Sequence, residues 1–468
     1  MILDSSMRIF WPRRASAPAL GMIVVLVLFA VPAANASVHE YRLENGMRVL
    51  VKEDHRAPVV VSMVWYGAGS VDEFNGTTGV AHVLEHMMFK GTAKVPAGEF
   101  SRRVARAGGR ENAFTSRDYT AYFQTLHRDK LAMVLEMEAD RMANLILTKE
   151  TFEKEIKVVM EERRLRTDDQ PHALVYETLM AVALRTHPYR HPIIGWMNDL
   201  QNMTVTDVSD WYRRWYAPNN AVLVVVGDIS GEEVIGHARK LFGTIEPRAL
   251  PVRKPQNEPD QMGERRVVVK APSKLPHILM AYRVPKLLDP ELDSEPYALD
   301  VLEGVLDGHD GARLNAALVR GTRMASSAGA GYSGIGRGPG VFMLSGTPSE
   351  GRSIADLEAA LKAEVQRIAT EGVRDDELRR VKAQVVSAHV YARDSMFAQA
   401  RHMGSLESIG LSHRSIETQL RRLREVTAEQ VQQVARRYFV DDALTVAVLE
   451  PQPLSVKRQP AAPEDSRH

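Results

Sequence analysis

Apolar and polar residues alternate near the start of the chain with the two-residue period of a β-strand. The alternation covers residues 39–51 and 58–65, and Asn45-Gly46 places a turn inside the first stretch. Amphipathic stretches with helical spacing follow these strands. Strands followed by helices with one apolar face predict an α+β fold built of layers.

The second half of the chain repeats part of the first. Residues 204–216 align without gaps on residues 427–439, and each stretch ends in two arginines followed by two aromatic residues. One residue is then lost, and the buried strand expected at 221–226 falls on residues 443–448. A helix, a turn and a strand in the same order predict two similar domains that form a divergent repeat.

A charged segment rich in proline separates the two halves. Residues 247–265 contain four prolines and are predicted to be a linker. The predicted domains are therefore residues 37–246 and 266–450. Residues 451–468 are again rich in proline and charge and are predicted to form a disordered tail.

The first 36 residues have the pattern of a secretory signal peptide. Basic residues precede a short apolar run at 20–31, and Ala34-Asn35-Ala36 has the form of a cleavage site. The run is too short to cross a bilayer comfortably, so cleavage without stable membrane insertion is expected, and an uncleaved anchor is the alternative. The chain contains no cysteine, which agrees with export to a periplasm.

The charge balance bears on the class of partner. Lys and Arg number 60 and Asp and Glu 59, so the net charge is +1, and the two signs are interspersed along the chain. A nucleic-acid-binding protein concentrates positive charge on one face or one stretch. We therefore expect no nucleic acid partner.

One short stretch, residues 81–89, carries the side chains of a metal site. If it is helical, His82, Glu85 and His86 share a face. Two imidazoles can hold a zinc ion that keeps an open position for water, and a nearby carboxylate can act as the base. The spelling H-x-x-E-H is the inverzincin signature. The alternative is a helix whose histidines are only hydrogen-bonded at the edge of a core.

A second predicted helix, residues 151–164, offers the third protein ligand that such a zinc site needs. Glu155 and Glu162 are seven residues apart, two helical turns, and therefore share a face. Glu153 and Glu161 fit a solvated face better. The spacing alone leaves Glu155, Glu161 and Glu162 open as the third ligand.

These residues resemble the pitrilysin/insulinase family of zinc metallopeptidases, which includes the subunits of mitochondrial processing peptidase. The family has H-x-x-E-H, a glutamate about 76 residues later and another glutamate seven residues before that one, and this chain matches all five positions. Residues 108–122 also resemble the family's G-G-x-x-N-A-x-T segment. The likeness covers nearly all of the mature chain.

The resemblance implies a role for each residue. His82, His86 and Glu162 would bind Zn²⁺, and Glu85 would be the general base in peptide bond hydrolysis. Glu155 would accept a hydrogen bond from a ligating histidine and fix its orientation. The implied fold is a clamshell of two similar domains around a chamber.

The second half echoes the zinc helix but lacks the ligands. Val301-Leu302-Glu303 matches Val83-Leu84-Glu85, yet the flanking positions hold Asp300 and Gly304. We therefore expect an N-terminal zinc-binding catalytic domain and an inactive C-terminal domain.

The resemblance also suggests how substrate is bound. Asn112, Ala113 and Phe114 would lie on an edge strand that an extended peptide joins as a further strand. Arg320 matches a family arginine that holds the substrate carbonyl, but the tyrosine expected seven residues later is Ser327. Either Tyr332 replaces that tyrosine, or a homodimer or a heterodimer with a related subunit supplies the pair.

The function predicted from these residues is a zinc-dependent endopeptidase or oligopeptidase acting on unfolded or short peptides. The alternative is a non-catalytic or partner-dependent subunit of a peptidase-like assembly. The intact H-x-x-E-H disfavours the alternative because a subunit without catalysis has no need of the base Glu85.

Two other motifs are interpreted as structural. Residues 329–334 match the glycine pattern of a dinucleotide-binding motif, which requires a helix directly after it to face the pyrophosphate. Gly336, Gly338 and Pro339 follow instead and prevent a helix from starting there, so we predict a strand and a turn. His187 and His191 repeat the four-residue spacing with prolines between and after them, which predicts a loop.

Overall fold

The computed structural model of the protein describes residues 37–454. The predicted leader and residues 455–468 of the predicted tail lie outside the described residues. Between residues 37 and 454, none of the helices is both long enough and apolar enough to cross a membrane.

The first half of the described chain folds into a six-stranded sheet and its helices. The strands are β1 (Val38–Arg42), β2 (Arg48–Glu53), β3 (Val59–Tyr66), β4 (Arg110–Thr115), β5 (Thr120–His127) and β6 (Ala221–Gly227). The helices are α1 (Val80–Met87), α2 (Glu99–Arg106), α3 (Leu131–Asn144), α4 (Lys149–Arg163), α5 (Pro171–Ala183), α6 (Met197–Asn202), α7 (Val205–Trp215) and α8 (Gly231–Leu241).

The second half forms a five-stranded sheet within the described residues. Its strands are β7 (Arg265–Pro272), β8 (His277–Val284), β9 (Ala325–Ser333), β10 (Gly340–Pro348) and β11 (Leu444–Gln452). Its helices are α9 (Glu295–Asp307), α10 (Ile354–Glu371), α11 (Asp375–Ala392), α12 (Met396–Ser408), α13 (Ser415–Glu425) and α14 (Ala428–Tyr438).

Five strands of the first sheet, all but β1, share one topology with the five strands of the second, which confirms the predicted α+β fold and its divergent repeat. The strand order is β1-β2-β6-β3-β5-β4 in the first sheet and β7-β11-β8-β10-β9 in the second, with one parallel pair in each, β2–β6 and β7–β11. Helices α7 and α14 both begin after a threonine, Thr204 or Thr427, whose side chain accepts a hydrogen bond from the third helical N–H.

The predicted boundaries shift by a few residues. The linker predicted at 247–265 is irregular up to residue 264, and its last residue, Arg265, begins β7. Pro451 and Gln452, which we predicted to lie in the disordered tail, belong to β11 because they pair with Ala271 and Pro272.

Each sheet is covered on one face by a helix from the other half. Helix α12 packs on β3 and β6 of the first sheet, and α5 packs on β7, β8 and β11 of the second. Gly404 of α12 lies directly against the fully buried Trp65, where a methyl group would overlap the indole. The two halves therefore bury their apolar surfaces by exchanging helices.

A loop of the second half is also anchored in the first. Between β9 and β10, Arg337 forms ion pairs with Asp72 at 2.6 Å and with Asp118 at 3.3 Å. The side chains of Asp72 and Asp118 are only 5% and 7% exposed. The glycines that flank Arg337 let this loop approach Tyr189 closely.

Candidate metal centre

Helix α1 is held in place at its N-terminus by a buried carboxyl group. Glu73 accepts hydrogen bonds from the backbone N–H groups of Gly79 at 2.8 Å and Ala81 at 2.9 Å. Burial raises the pKa of Glu73 to about 8. Val83 and Leu84 lie in the core, so the face with His82, Glu85 and His86 is directed away from it.

Three predicted ligands converge. One ligand atom each from His82, His86 and Glu162 lies within 4.8 Å of the other two. Glu162 Oε2 is 3.2 Å from His86 Nε2 and 3.7 Å from His82 Nε2. Helix α4 supplies Glu162 and packs against α1, so residues far apart in sequence meet at one point.

This donor set fits a zinc ion. Ligands at zinc–nitrogen and zinc–oxygen distances of about 2.1 Å in tetrahedral geometry lie about 3.4 Å apart, close to the two distances from Glu162. Three protein ligands of the type His, His and Glu leave a fourth position open, as in catalytic zinc sites. His82, His86 and Glu162 would therefore hold the ion.

A second glutamate of α4 contacts one of the candidate ligands. Glu155 Oε1 is 2.9 Å from His86 Nδ1, and Glu155 Oε2 is 2.5 Å from Lys90 Nζ. Because Glu155 engages Nδ1, the other ring nitrogen of His86 faces Glu162. Glu153, on the same helix, is exposed, as its place in the predicted pattern indicated.

Glu85 lines the same cavity as the ligands and has its own hydrogen-bond donor. The Thr115 hydroxyl, at the end of β4, donates to Glu85 Oε2 at 2.5 Å. Burial raises the pKa of the Glu85 carboxyl, and the Thr115 hydrogen bond opposes that shift. A carboxylate with a raised pKa is a stronger base than an exposed glutamate.

The electrostatics favour a cation at this point. Burial, together with the neighbouring His86, lowers the pKa of His82 to about 4, so this imidazole is neutral. The hydrogen bond with His86 lowers the pKa of Glu162 to about 2. Burial disfavours the charged form of His86, but its bonds to Glu155 and Glu162 outweigh this and raise its pKa to about 9. A metal bound here would compete with a proton for His86.

The site opens into a cavity of about 770 Å³. Its wall includes Asn112, Ala113 and Phe114 of β4, which lies at the edge of the first sheet and pairs with β5. Helix α5 forms another part of the wall through Tyr176, while its apolar face packs on the second sheet. An edge strand thus runs beside the metal ligands.

Two residues considered for substrate binding are not brought to this cavity. Arg320 is exposed on a π-helical segment, where its guanidinium donates to the carbonyl oxygen of Asp310. The Tyr332 hydroxyl donates to the Pro285 carbonyl at 2.6 Å, and Tyr332 lines a separate cavity of about 230 Å³. Neither side chain is among those lining the cavity of the metal centre.

Sequence reasoning missed three residues that contact the site directly. Thr115 was inside a recognised segment but had no assigned role. Lys90 follows His86 by four residues, and Arg166 follows Glu162 by four and contacts its Oε1 at 2.5 Å. The four-residue helical spacing was the available signal for Lys90 and Arg166.

Two family models match this chain, and together they span most of it. The model described as "Insulinase (Peptidase family M16)" matches residues 48–196, and the one described as "Peptidase M16 inactive domain" matches residues 202–385. The chain belongs to peptidase family M16. The resemblance expected from the sequence motifs is thereby confirmed.

Relatives in the M16 family carry the name zinc protease. The zinc protease PqqE of Helicobacter pylori is 36% identical over 291 residues, which is 61% of this chain and 64%, slightly less than two thirds, of that protein. The uncharacterized zinc protease YmxG of Bacillus subtilis is 25% identical over 88% of this chain and 98% of its own length.

A solved protease structure superimposes on most of the chain. The crystal structure of a protease from Helicobacter pylori has a TM-score of 0.84 and 29% identity, covering 89% of this chain and 100% of that one. The two-sheet architecture is therefore that of a known protease structure.

Proposed function

We propose that this protein is a zinc-dependent endopeptidase or oligopeptidase. One observation carries the proposal: His82, His86 and Glu162 place their ligand atoms within 4.8 Å of one another, and Glu85 lines the same cavity. Zinc ligands without a base would suit a structural site, which is usually closed by four protein ligands. A site with three ligands, a base and an open cavity suits hydrolysis.

The chain's own residues carry out the proton transfers in this proposal. When bound, zinc would supply a Lewis acid for the attacking water and the scissile carbonyl. Glu85 accepts the proton of the water and then passes it to the leaving amine. The Thr115 hydroxyl keeps the Glu85 carboxylate in position, and Glu155 keeps the His86 ring in position.

Substrates would be extended peptides. Within the part of the chain that the structure describes, strand β4 pairs on one side only and runs beside the candidate metal ligands. A peptide that pairs with such an edge is recognised chiefly through its backbone. The backbone N–H and C=O groups of a folded protein are already hydrogen-bonded within that protein, so few of its segments can pair with this edge. Unfolded or short peptides are therefore the favoured substrates.

Export and assembly are further parts of the proposal. The leader pattern in residues 1–36 supports a periplasmic enzyme. Because Arg320 and Tyr332 do not line the metal cavity, a second subunit, identical or related, would supply any further contact to the substrate carbonyl.

The test compares the wild type with Glu85→Gln on quenched fluorogenic peptides after loading with zinc. The variant should keep its zinc but lose at least about a hundredfold in kcat, since general base catalysis contributes about 10²–10⁴. Glu161→Gln is the matched control, because Glu161 is exposed on the neighbouring helix, and it should cleave at the wild-type rate.

Two results would count against a peptidase. One is a wild type that binds zinc but cleaves none of the peptides, alone or with a related subunit. The other is a Glu85→Gln variant that cleaves as fast as the wild type.

A further inference from the structure

The wall of the metal cavity carries two arginines that the proposed reaction does not use. Arg117 follows β4 directly, two residues after Thr115, and Arg190 lies on the loop that precedes α6. Both side chains line the cavity together with Glu85 and the metal ligands. Neither is needed to hold zinc or to move a proton.

These two arginines have no carboxylate partner among the residues of the described chain. Arg117 donates to the Tyr176 hydroxyl at 3.0 Å, and Arg190 donates to the Arg185 carbonyl at 2.8 Å. In both side chains the Nε atom is buried without a hydrogen-bond partner. Both side chains are only partly buried, so each guanidinium keeps its charge at the cavity wall, and a buried donor without a partner in a folded protein calls for an explanation such as a ligand.

The other charges of the cavity wall are already paired. Arg166 contacts Glu162, and Glu177 accepts two hydrogen bonds from Arg163, at 2.8 and 2.9 Å. The Glu85 carboxylate is committed to Thr115 and to the base role. Among the described residues, the charges on this wall that no carboxylate neutralises are therefore positive and belong to Arg190 and to Arg117, whose guanidinium carbon lies 5.2 Å from the centre of the Tyr189 ring.

We propose that Arg117 and Arg190 form an anion subsite that recognises a carboxylate of the peptide substrate. The inference rests on the proposed function, since it assumes that a peptide enters the cavity. A planar guanidinium matches a carboxylate with two parallel hydrogen bonds. Because Arg117 lies just past the Thr115 end of β4, a peptide along that edge brings residues near the scissile bond to it.

The carboxylate could be an Asp or Glu side chain or the C-terminus of a short peptide. If the subsite binds an Asp or Glu side chain, the enzyme is an endopeptidase selective for acidic residues. If it binds the C-terminal carboxylate, the enzyme is an oligopeptidase that cleaves at a fixed distance from the C-terminus. The peptides that test the inference share one neutral sequence. At each position in turn, one peptide carries Glu and its partner carries Gln. Every peptide is made in two forms, with a free C-terminal carboxylate and with a C-terminal amide.

Binding is measured apart from catalysis. Peptides with an uncharged fluorophore are titrated into full-length, zinc-loaded Glu85→Gln protein, and fluorescence anisotropy gives the affinity. A charge-assisted hydrogen bond at this wall should make at least one carboxylate peptide bind about tenfold to a hundredfold tighter than its amide counterpart.

Variants of the two arginines test whether these residues cause the preference for carboxylate peptides. Arg117→Gln and Arg190→Gln, made in the same background, should each reduce the preference towards equal binding while zinc content is unchanged. Arg117→Lys keeps the charge and should keep part of the preference, which a purely structural role beside Tyr176 would not produce. Arg185→Gln, on an exposed arginine outside the cavity, is the control and should leave the preference intact.

Each outcome decides the inference. Equal affinity for acid and amide forms at every position overturns it, as does a preference that survives both arginine substitutions or the failure of every peptide to bind. A carboxylate preference in a protein whose wild type cleaves none of the peptides would overturn the proposed peptidase and leave the anion subsite standing.

Discussion

The role of Glu155 gives a sharp test of how the metal centre is built. One carboxylate oxygen of Glu155 is 2.9 Å from His86 Nδ1 and the other is 2.5 Å from Lys90 Nζ. Glu155→Gln keeps the shape but leaves an oxygen at only one of the two positions that His86 and Lys90 contact. If the amide oxygen faces Lys90, His86 loses its acceptor. If the oxygen faces His86, the amide NH₂ faces the Lys90 ammonium, and two donors are in contact.

The expected cost follows from the kind of contact that is lost. Removing a hydrogen-bond partner of a metal-ligating histidine lowers metal affinity by about 10–100-fold, which corresponds to about 1.4–2.8 kcal/mol. Glu162→Gln removes a ligand itself and should lower zinc affinity further. If the amide conflict with Lys90 is the cause, the double variant Glu155→Gln/Lys90→Met should recover part of the loss, because the amide oxygen is then free for His86.

The assay is competition for zinc between the purified protein and a fluorescent chelator at fixed neutral pH. Glu153→Gln is the matched control, because it removes a neighbouring but exposed carboxylate from the same helix, and its affinity should equal that of the wild type. Wild-type affinity in Glu155→Gln would refute the orienting role. A loss as large as that of Glu162→Gln would make Glu155 a ligand instead.

The remaining predictions concern the contacts between the two halves. Gly404→Ala should lower the free energy of unfolding by about 1–3 kcal/mol, because the added methyl group overlaps Trp65; Gly236→Ala, in a helix with open space around the glycine, should be neutral or stabilising in the same denaturant titration. Arg337→Gln should cost roughly 3 kcal/mol, because it leaves the buried Asp118 carboxylate without its cation, while Asp72 keeps its ion pair with Arg253. Arg352→Gln, at an exposed arginine, should cost almost nothing, and equal midpoints for these two variants would contradict the anchoring role.

Much of the candidate site could be predicted because it depends on helical periodicity. His82, Glu85 and His86 share a face of α1, and Glu155 and Glu162 share a face of α4, by spacing alone. The spacing did not say which glutamate faces the two imidazoles. The packing of α4 on α1 decides that Glu162 approaches both imidazoles and that Glu155 approaches the far side of His86.

The positions of the residues proposed to bind substrate were harder to predict from the sequence. The β4 residues were found from a local motif, and the structure puts them on the cavity wall. Arg320 was proposed from a match of position, yet its side chain is held by the carbonyl of Asp310 on the surface of the second half. A residue on a distant element reaches a site only through the relative placement of whole elements, which a local pattern does not contain.

By itself the sequence indicated the candidate ligands, the helix faces on which they lie and the existence of a repeat, because these follow from short-range periodicity and self-similarity. Only the tertiary structure decided that the halves exchange α5 and α12 and that Arg337 reaches across to Asp72 and Asp118. Burial of apolar surface is non-directional, so the sequence pattern of an amphipathic helix does not specify which of the two sheets the helix covers. The choice depends on shape, such as Gly404 against Trp65, and shape appears only when the whole chain is packed.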